Sequence, residues 1–182
     1  MVTMKGTLVT LEPLDISKHA KGYFDVMQDG KIHTYTGNCV PETVDQVAAL
    51  LKKYEVYFLN WMIIENESNN VIGIIRLSKP TMKNSVLTAG ESQFLSSRYW
   101  RKGHMKEAKK LFYAYVFDVL AVETLYADVW EGNENSVKSL QSYGYRLIKT
   151  ADDVFSKTGE RKRKLIFSLS KSDYQSTIDS VY

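Results

Sequence analysis

The chain has little of what fixes a structure covalently or through metals. One cysteine, Cys39, stands among its 182 residues. A single thiol excludes an internal disulfide framework and a multi-cysteine zinc site. No partner histidine is identifiable for Cys39, which is taken as structural. The three histidines, His19, His33 and His104, lie far apart. None has ligand spacing to another, so no metal is expected. Long apolar runs are also missing. No stretch approaches the ~20 residues of a membrane span, and the start, "MVTMKGTLVTLEP", lacks the apolar core of a secretory signal. A cytoplasmic protein without a membrane partner is expected. The net charge of +3 is mild beside the footprint of a nucleic-acid binder, so no DNA is expected. Neither G-x-x-x-x-G-K-[ST] nor G-x-G-x-x-G occurs.

What is present suits one globular domain: 44% of residues are hydrophobic and 25% charged. That domain is assigned to residues 1–170, and 171–182 to a polar, disordered C-terminal tail. Leu8–Leu11 is a short strand. From Asp15, Ala20, Tyr23, Phe24 and Met27 recur at helical spacing up to Asp29-Gly30. A second helix follows Pro41, where Thr43 and Gln46 fit a capping box. Trp61–Ile64, Val71–Leu77 and Val86–Leu95 are strands, with loops "ENESNN" and "SKPTMKN" between them. Met105, Ala108, Phe112, Tyr115, Val116 and Val119 place a helix from about Gly103 to Leu120. Thr124–Trp130 is a strand, Ser136–Tyr143 a short helix ended by Gly144, and Tyr145–Lys149 and Lys164–Leu169 are the last strands. This order predicts a mixed sheet in an α/β (α+β) domain.

Chemistry concentrates in two segments. In "WRKGHMKEAKKL", Trp100–Leu111, a glycine follows a strand and opens a helix. The first helical turn offers unpaired N–H groups and the positive dipole end, a ready phosphate site. Gly103 lets a phosphate approach the backbone closely, and Arg101, Lys102 and Lys106 add cations. Lys109 and Lys110 are expected to face water. The competing reading is a turn glycine before a solvated basic helix. In "GNENSVKSLQSYGYRL", Gly132–Leu147, Asn133 sits between a strand and a helix, with Ser136 one turn on. Taken alone, these are an N-cap asparagine and a helix serine.

Together the two segments resemble the GNAT superfamily of acyl-CoA-dependent N-acyltransferases, most closely its ribosomal-protein N-acetyltransferase subgroup (RimJ/RimL type). The superfamily's coenzyme A loop, Q/R-x-x-G-x-G/A, corresponds to Trp100-Arg101-Lys102-Gly103-His104-Met105. The subgroup's W-G-K-G-Y-A-x-E-A is matched at Trp100, Lys102, Gly103, Glu107 and Ala108. Its N-x-x-S followed by G-F appears as Asn133, Ser136, Gly144 and Tyr145. "LVTLEPLD" and "WMIIENESNNVIGIIRL" resemble the subgroup's earlier strands, so the likeness spans about Leu8 to Leu169. Arg101 replaces a usual glycine, and Met105 a usual Gly or Ala.

The resemblance implies a GNAT-like mixed, mostly antiparallel sheet flanked by helices and splayed between its fourth and fifth strands, Val86–Leu95 and Thr124–Trp130. Acetyl-CoA would lie in the gap. Backbone groups of Phe94 and Leu95 would hold the pantetheine arm. The segment Arg101–Lys106, including His104 and Met105, would hold the pyrophosphate, and Asn133 would bond the arm. Activity would be direct transfer of acetyl to a primary amine of a protein N-terminus or small molecule. The tyrosine acid of much of the superfamily would fall at Leu140 and is absent, so the subgroup's serine, Ser136, takes that role. Glu91 is a candidate base acting through water; the other reading is a solvated strand residue. His33 and Tyr35 would border the acceptor, His33 otherwise being a surface-loop histidine. A monomer or homodimer is expected. The alternatives are a coenzyme-binding domain without turnover, or an RNA or ribosome contact through "GERKRK", Gly159–Lys164.

Overall fold

The computed structural model describes residues 1–36 and 40–179; Cys39 lies outside them. In chain order come β1 (Met4–Lys5), β2 (Val9–Pro13), α1 (Ile16–Met27), α2 (Val44–Tyr57), β3 (Phe58–Glu65), β4 (Val71–Ser78), β5 (Thr81–Lys83) and β6 (Val86–Leu95). Then follow α3 (His104–Ala114), β7 (Thr124–Trp130), α4 (Glu134–Ser142), β8 (Arg146–Phe155), β9 (Glu160–Ser170) and α5 (Lys171–Asp179). The capping residues explain where the helices begin. Asp15 accepts from the Lys18 N–H, Thr43 from the Gln46 N–H and Asn133 from the Ser136 N–H, each satisfying a donor that has no partner within the helix.

The strands form one sheet in the order β1-β2-β3-β4-β6-β7-β9-β8, with β5 paired to β6. Among the described residues every pairing is antiparallel except β6–β7. The expected mixed, mostly antiparallel α/β architecture is therefore what the chain adopts. Helices α1 and α2 cover one face, where Tyr23, Met27, Val47 and Leu51 pack on Met62, Ile64 and Ile74. On the other face Ala108 and Phe112 of α3, Val116 just beyond it, Leu140 of α4 and Tyr174 of α5 pack on Trp61, Ile63, Ile75, Leu125 and Phe167. Each Val, Leu, Ile, Phe or Met among them, fully buried, contributes roughly 1.5–3 kcal/mol.

Three segments differ from the expectation. The α-helix after Gly103 stops at Ala114 and continues as a π-turn, Tyr115–Val119. The final hairpin extends to the Thr158-Gly159 turn, because its outer halves are polar apart from Val154 and Phe155 and carry no alternation to read. The polar end is helical over Lys171–Asp179, anchored by Tyr174, which is 6% exposed.

Strand β6 changes partner along its length. Thr88–Gly90 pair with Thr124–Tyr126 of β7, whereas Glu91–Leu95 pair with Leu77–Gly73 of β4. Beyond Gly90 the two parallel strands separate, while β7 stays paired to β9 as far as Trp130. The expected splay is present and begins at Glu91. Gly73 is required opposite Leu95, at the far end of that segment: a Cβ there would stand 2.2 Å from the Phe94 carbonyl oxygen.

Candidate active site

The register decides which backbone groups face the gap. Ser96 N–H donates to Ile72 O, which makes Ser96–Ile72 and Phe94–Ile74 the hydrogen-bonded pairs of this ladder. Phe94 therefore spends its N–H and C=O on β4, contrary to the expectation that they serve a ligand. The groups of Gln93 and Leu95 point into the gap. Leu95 O already accepts the Trp100 indole N–H at 2.7 Å, which leaves the Leu95 N–H as the donor. The end of β6 is pinned to the α1 corner by Asp29, whose Oδ2 accepts the Ser97 N–H at 2.6 Å and the Ser96 hydroxyl at 3.2 Å. Burial opposes ionisation of Asp29, yet these bonds hold its carboxyl below the ordinary range.

The loop after β6 turns twice through the left-handed region, at Arg101 (φ 60) and Gly103 (φ 87). Gly103 is the N-cap of α3, and Glu107 N–H to Gly103 O is the first helical bond. The N–H groups of His104, Met105 and Lys106 are the unpaired donors of the first turn. Arg101, Lys102 and Lys106 are exposed beside them. The Met105 side chain packs on the core instead, so its bulk stays out of the cradle. The His104 ring is also turned inward, 8% exposed, edge-on to Tyr99 and 4.0 Å from Glu65 Oε1. Only its backbone is offered at the surface. One turn on, Glu107 accepts the N–H groups of Thr7, Leu8 and Val9 at 2.7–2.9 Å, which fastens the β1–β2 turn to α3.

Across the gap, Asn133 and Ser136 sit together at the start of α4. The Asn133 Oδ1 is used as the cap, 3.3 Å from Ser136 N. Both residues are half-buried. Tyr35 reaches this turn, its ring lying where a Cβ on Gly132 would meet it at 3.5 Å. The corner that carries Tyr35 thus touches the approach to α4. His33 does not behave as a surface-loop histidine. It is 3% exposed; its Nε2–H donates to Met27 O at 2.7 Å and its Nδ1 accepts from the Thr36 hydroxyl at 3.4 Å. The ring braces the corner and offers no atom to a substrate.

Glu91 is neither solvated nor in the cleft. Its side chain and that of Lys109 are both 0% exposed, with Lys109 Nζ 3.8 Å from Glu91 Oε1. Tyr113 donates to the same oxygen at 2.9 Å. The expectation that Lys109 faces water is wrong. It falls on the apolar stripe with Met105, Ala108, Phe112 and Val116, and that spacing was the available signal. Burial lowers the Lys109 pKa against the pull of Glu91. Burial, then the Glu91 charge, raises Tyr113 and Tyr145.

On the α1–α2 side, the gap opens into a cleft of about 560 Å³ walled by Phe58, Glu91 backbone, Ser92, Tyr126, Asp128 and Lys164. Lys164 bridges Asp128 (3.4 Å) and Asp153 (3.2 Å). Of the basic "GERKRK" run, Lys162 and Arg163 are also ion-paired, to Glu160 and Glu131. A larger hollow of about 680 Å³ between β1 and the outer side of α3 shares no residue with the gap. No cluster of metal-ligating side chains occurs among the described residues. Among the described residues no helix is long and apolar enough to cross a membrane. Arg76, beside Ser92, is a residue that sequence reasoning missed, since no spacing marks it.

Comparisons with known proteins agree with this geometry. No curated protein matches the sequence. Among solved structures, the chain is similar to a GCN5-related N-acetyltransferase from Brucella melitensis, at 23% identity over 98% of this chain and 83% of that one, with a TM-score of 0.85. It is similar to the ribosomal-protein-S5-alanine acetyltransferase from Vibrio fischeri, at 16% identity over 96% and 99%, TM-score 0.76. A chimera of the spermidine N-acetyltransferase from Vibrio cholerae gives 16% over 93% and 99%, TM-score 0.77. At these identities the likeness is one of fold. The family model of the acetyltransferase (GNAT) domain matches residues 9–146, and the chain belongs to that family of acetyltransferases.

Proposed function

We propose that the protein transfers the acetyl group of acetyl-CoA to a primary amine of a small molecule or a protein N-terminus, by direct attack in a ternary complex. The observation that carries this reading is the parting of β6 from β7 after Gly90, beside the left-handed turn that opens α3. The pantetheine arm adds along the free edge of β6 at Gln93 and Leu95. The pyrophosphate rests on the amides of His104, Met105 and Lys106, with Arg101, Lys102 and Lys106 around it. Asn133, whose Oδ1 caps α4, offers its amide N–H to the arm.

The amine enters from the α1–α2 side past Tyr35. It reacts only after losing a proton, and Glu91 is closed off by Lys109 and Tyr113, so the proton leaves to water in the cleft. The Leu95 N–H lies where it donates to the oxyanion of the tetrahedral intermediate. Ser136 donates to the departing thiolate. The matches at Trp100, Lys102, Gly103, Glu107, Asn133 and Ser136 favour the ribosomal-protein N-acetyltransferase subgroup. Calorimetry with acetyl-CoA, followed by a thiol-release assay over amines and peptides, tests the reading. No heat at high micromolar protein would sink it, and heat without thiol release would leave a binding domain.

A further inference from the structure

Directly behind the Phe58 and Ser92 wall of the cleft lies a cation without an anion. Arg76 of β4 is 7% exposed. Its guanidinium carbon lies 4.2 Å from the Tyr54 ring centroid, 5.1 Å from Phe58 and 5.2 Å from Phe94. Its Nε donates to Ser92 Oγ at 3.0 Å. Among the described residues no carboxylate lies within ion-pair distance of it. Buried charges are ordinarily paired, and a guanidinium has five in-plane N–H donors suited to a carboxylate. Ring faces attract the charge but accept no such forked pair. Two more donors stand on this face: the hydroxyls of Tyr23 and Tyr54 are buried with no hydrogen-bond partner. Ser92 and Phe58, which both touch Arg76, line the cleft.

We propose that Arg76 is the anion-recognising residue of the acceptor pocket, and that the acceptor is an amine that also carries a carboxylate. The proposal rests on the reading of the cleft as the acceptor side of an amine acetyltransferase. The Arg76 fork receives the carboxylate while the amine of the same molecule points into the gap. The opposite wall, with Asp128 and Asp153 around Lys164, suits the ammonium as it enters. A polyamine would bring only positive charge to Arg76 and is disfavoured.

The test compares primary amines that differ only in the carboxylate: alanine against ethylamine, phenylalanine against phenethylamine, and a dipeptide against its amide, with spermidine included. The wild type should show at least a tenfold higher kcat/KM for the carboxylated member of a pair. Arg76→Met should abolish that ratio and leave acetyl-CoA affinity unchanged, and Arg76→Lys should keep part of it. Equal rates within the pairs, a preference for spermidine, or a ratio that survives Arg76→Met would overturn the proposal. Should Arg76→Met fail to fold by circular dichroism, Ser92→Ala, which releases Nε, should shrink the ratio instead. If no amine is turned over, the functional reading fails, and thermal shift still decides Arg76: 3-phenylpropionate should stabilise the wild type more than its amide, and a shift of equal size for both would sink the assignment.

Discussion

The two faces of the gap are built on different chemistry. On the α3 side, the free donors are backbone: the first-turn amides and the Leu95 N–H. On the α1–α2 side the proposed recognition group is a side chain, Arg76 among Tyr54, Phe58 and Phe94. Backbone recognition needs a glycine, a helix start and fixed spacing, so it leaves a trace in the sequence. Side-chain recognition needs only that distant strands meet, and it leaves none. The α3 side also keeps its buried charges paired, Lys109 with Glu91, whereas Arg76 has no carboxylate partner among the described residues.

That contrast predicts unequal costs. Lys109→Met should lose about 3–5 kcal/mol, because it orphans a buried carboxylate; urea unfolding should show much of this recovered in Lys109→Met/Glu91→Gln. Arg76→Met orphans no anion and should lose less than half as much, so an equal loss at both sites would erase the contrast. Next in size, Ser136→Ala should lower kcat about 100-fold with little change in acetyl-CoA affinity by calorimetry; full turnover would remove Ser136 from the chemistry.

A third expectation concerns alkaline pH. Tyr23, Tyr113 and Tyr145 have pKa values raised by burial, so the fold keeps protons that the unfolded chain releases near pH 10. Their contribution is intact below about pH 10 and is lost as pH rises above it. Lys109, with its pKa lowered by burial, acts oppositely, its contribution growing until about pH 10.5. Three tyrosines against one lysine leave a net loss above about pH 10, visible in urea midpoints measured across that range. The smallest effect is at Arg101, where a side chain occupies left-handed backbone at φ 60. Arg101→Gly should raise stability by about 1 kcal/mol while weakening coenzyme binding through the lost cation. A thermal melt paired with calorimetry separates the two.

The sequence carried the fold wherever a local rule operated. Thr43 caps α2, Asn133 caps α4, and Gly144 takes φ 91 past the end of α4. It also carried the turn that opens α3, through Gly103 and the strand order. It misled where a polar residue belongs to the core. Lys109 looked solvated by type although its spacing was apolar, and His33 looked exposed because its partners, Met27 O and Thr36, lie across a corner. The partner change in β6 is legible only in the register, which no single strand encodes.

The short joint between β6 and β7 has a mechanical consequence. Thr88–Gly90 and Thr124–Tyr126 supply the only strand pairs between the two halves of the sheet among the described residues. A molecule lying in the gap and bonded to both banks acts as a temporary strut across that joint. Its arrival should stiffen the whole sheet and slow amide exchange on both sides, including at residues it never touches. Each departure of product then returns the protein to its looser form.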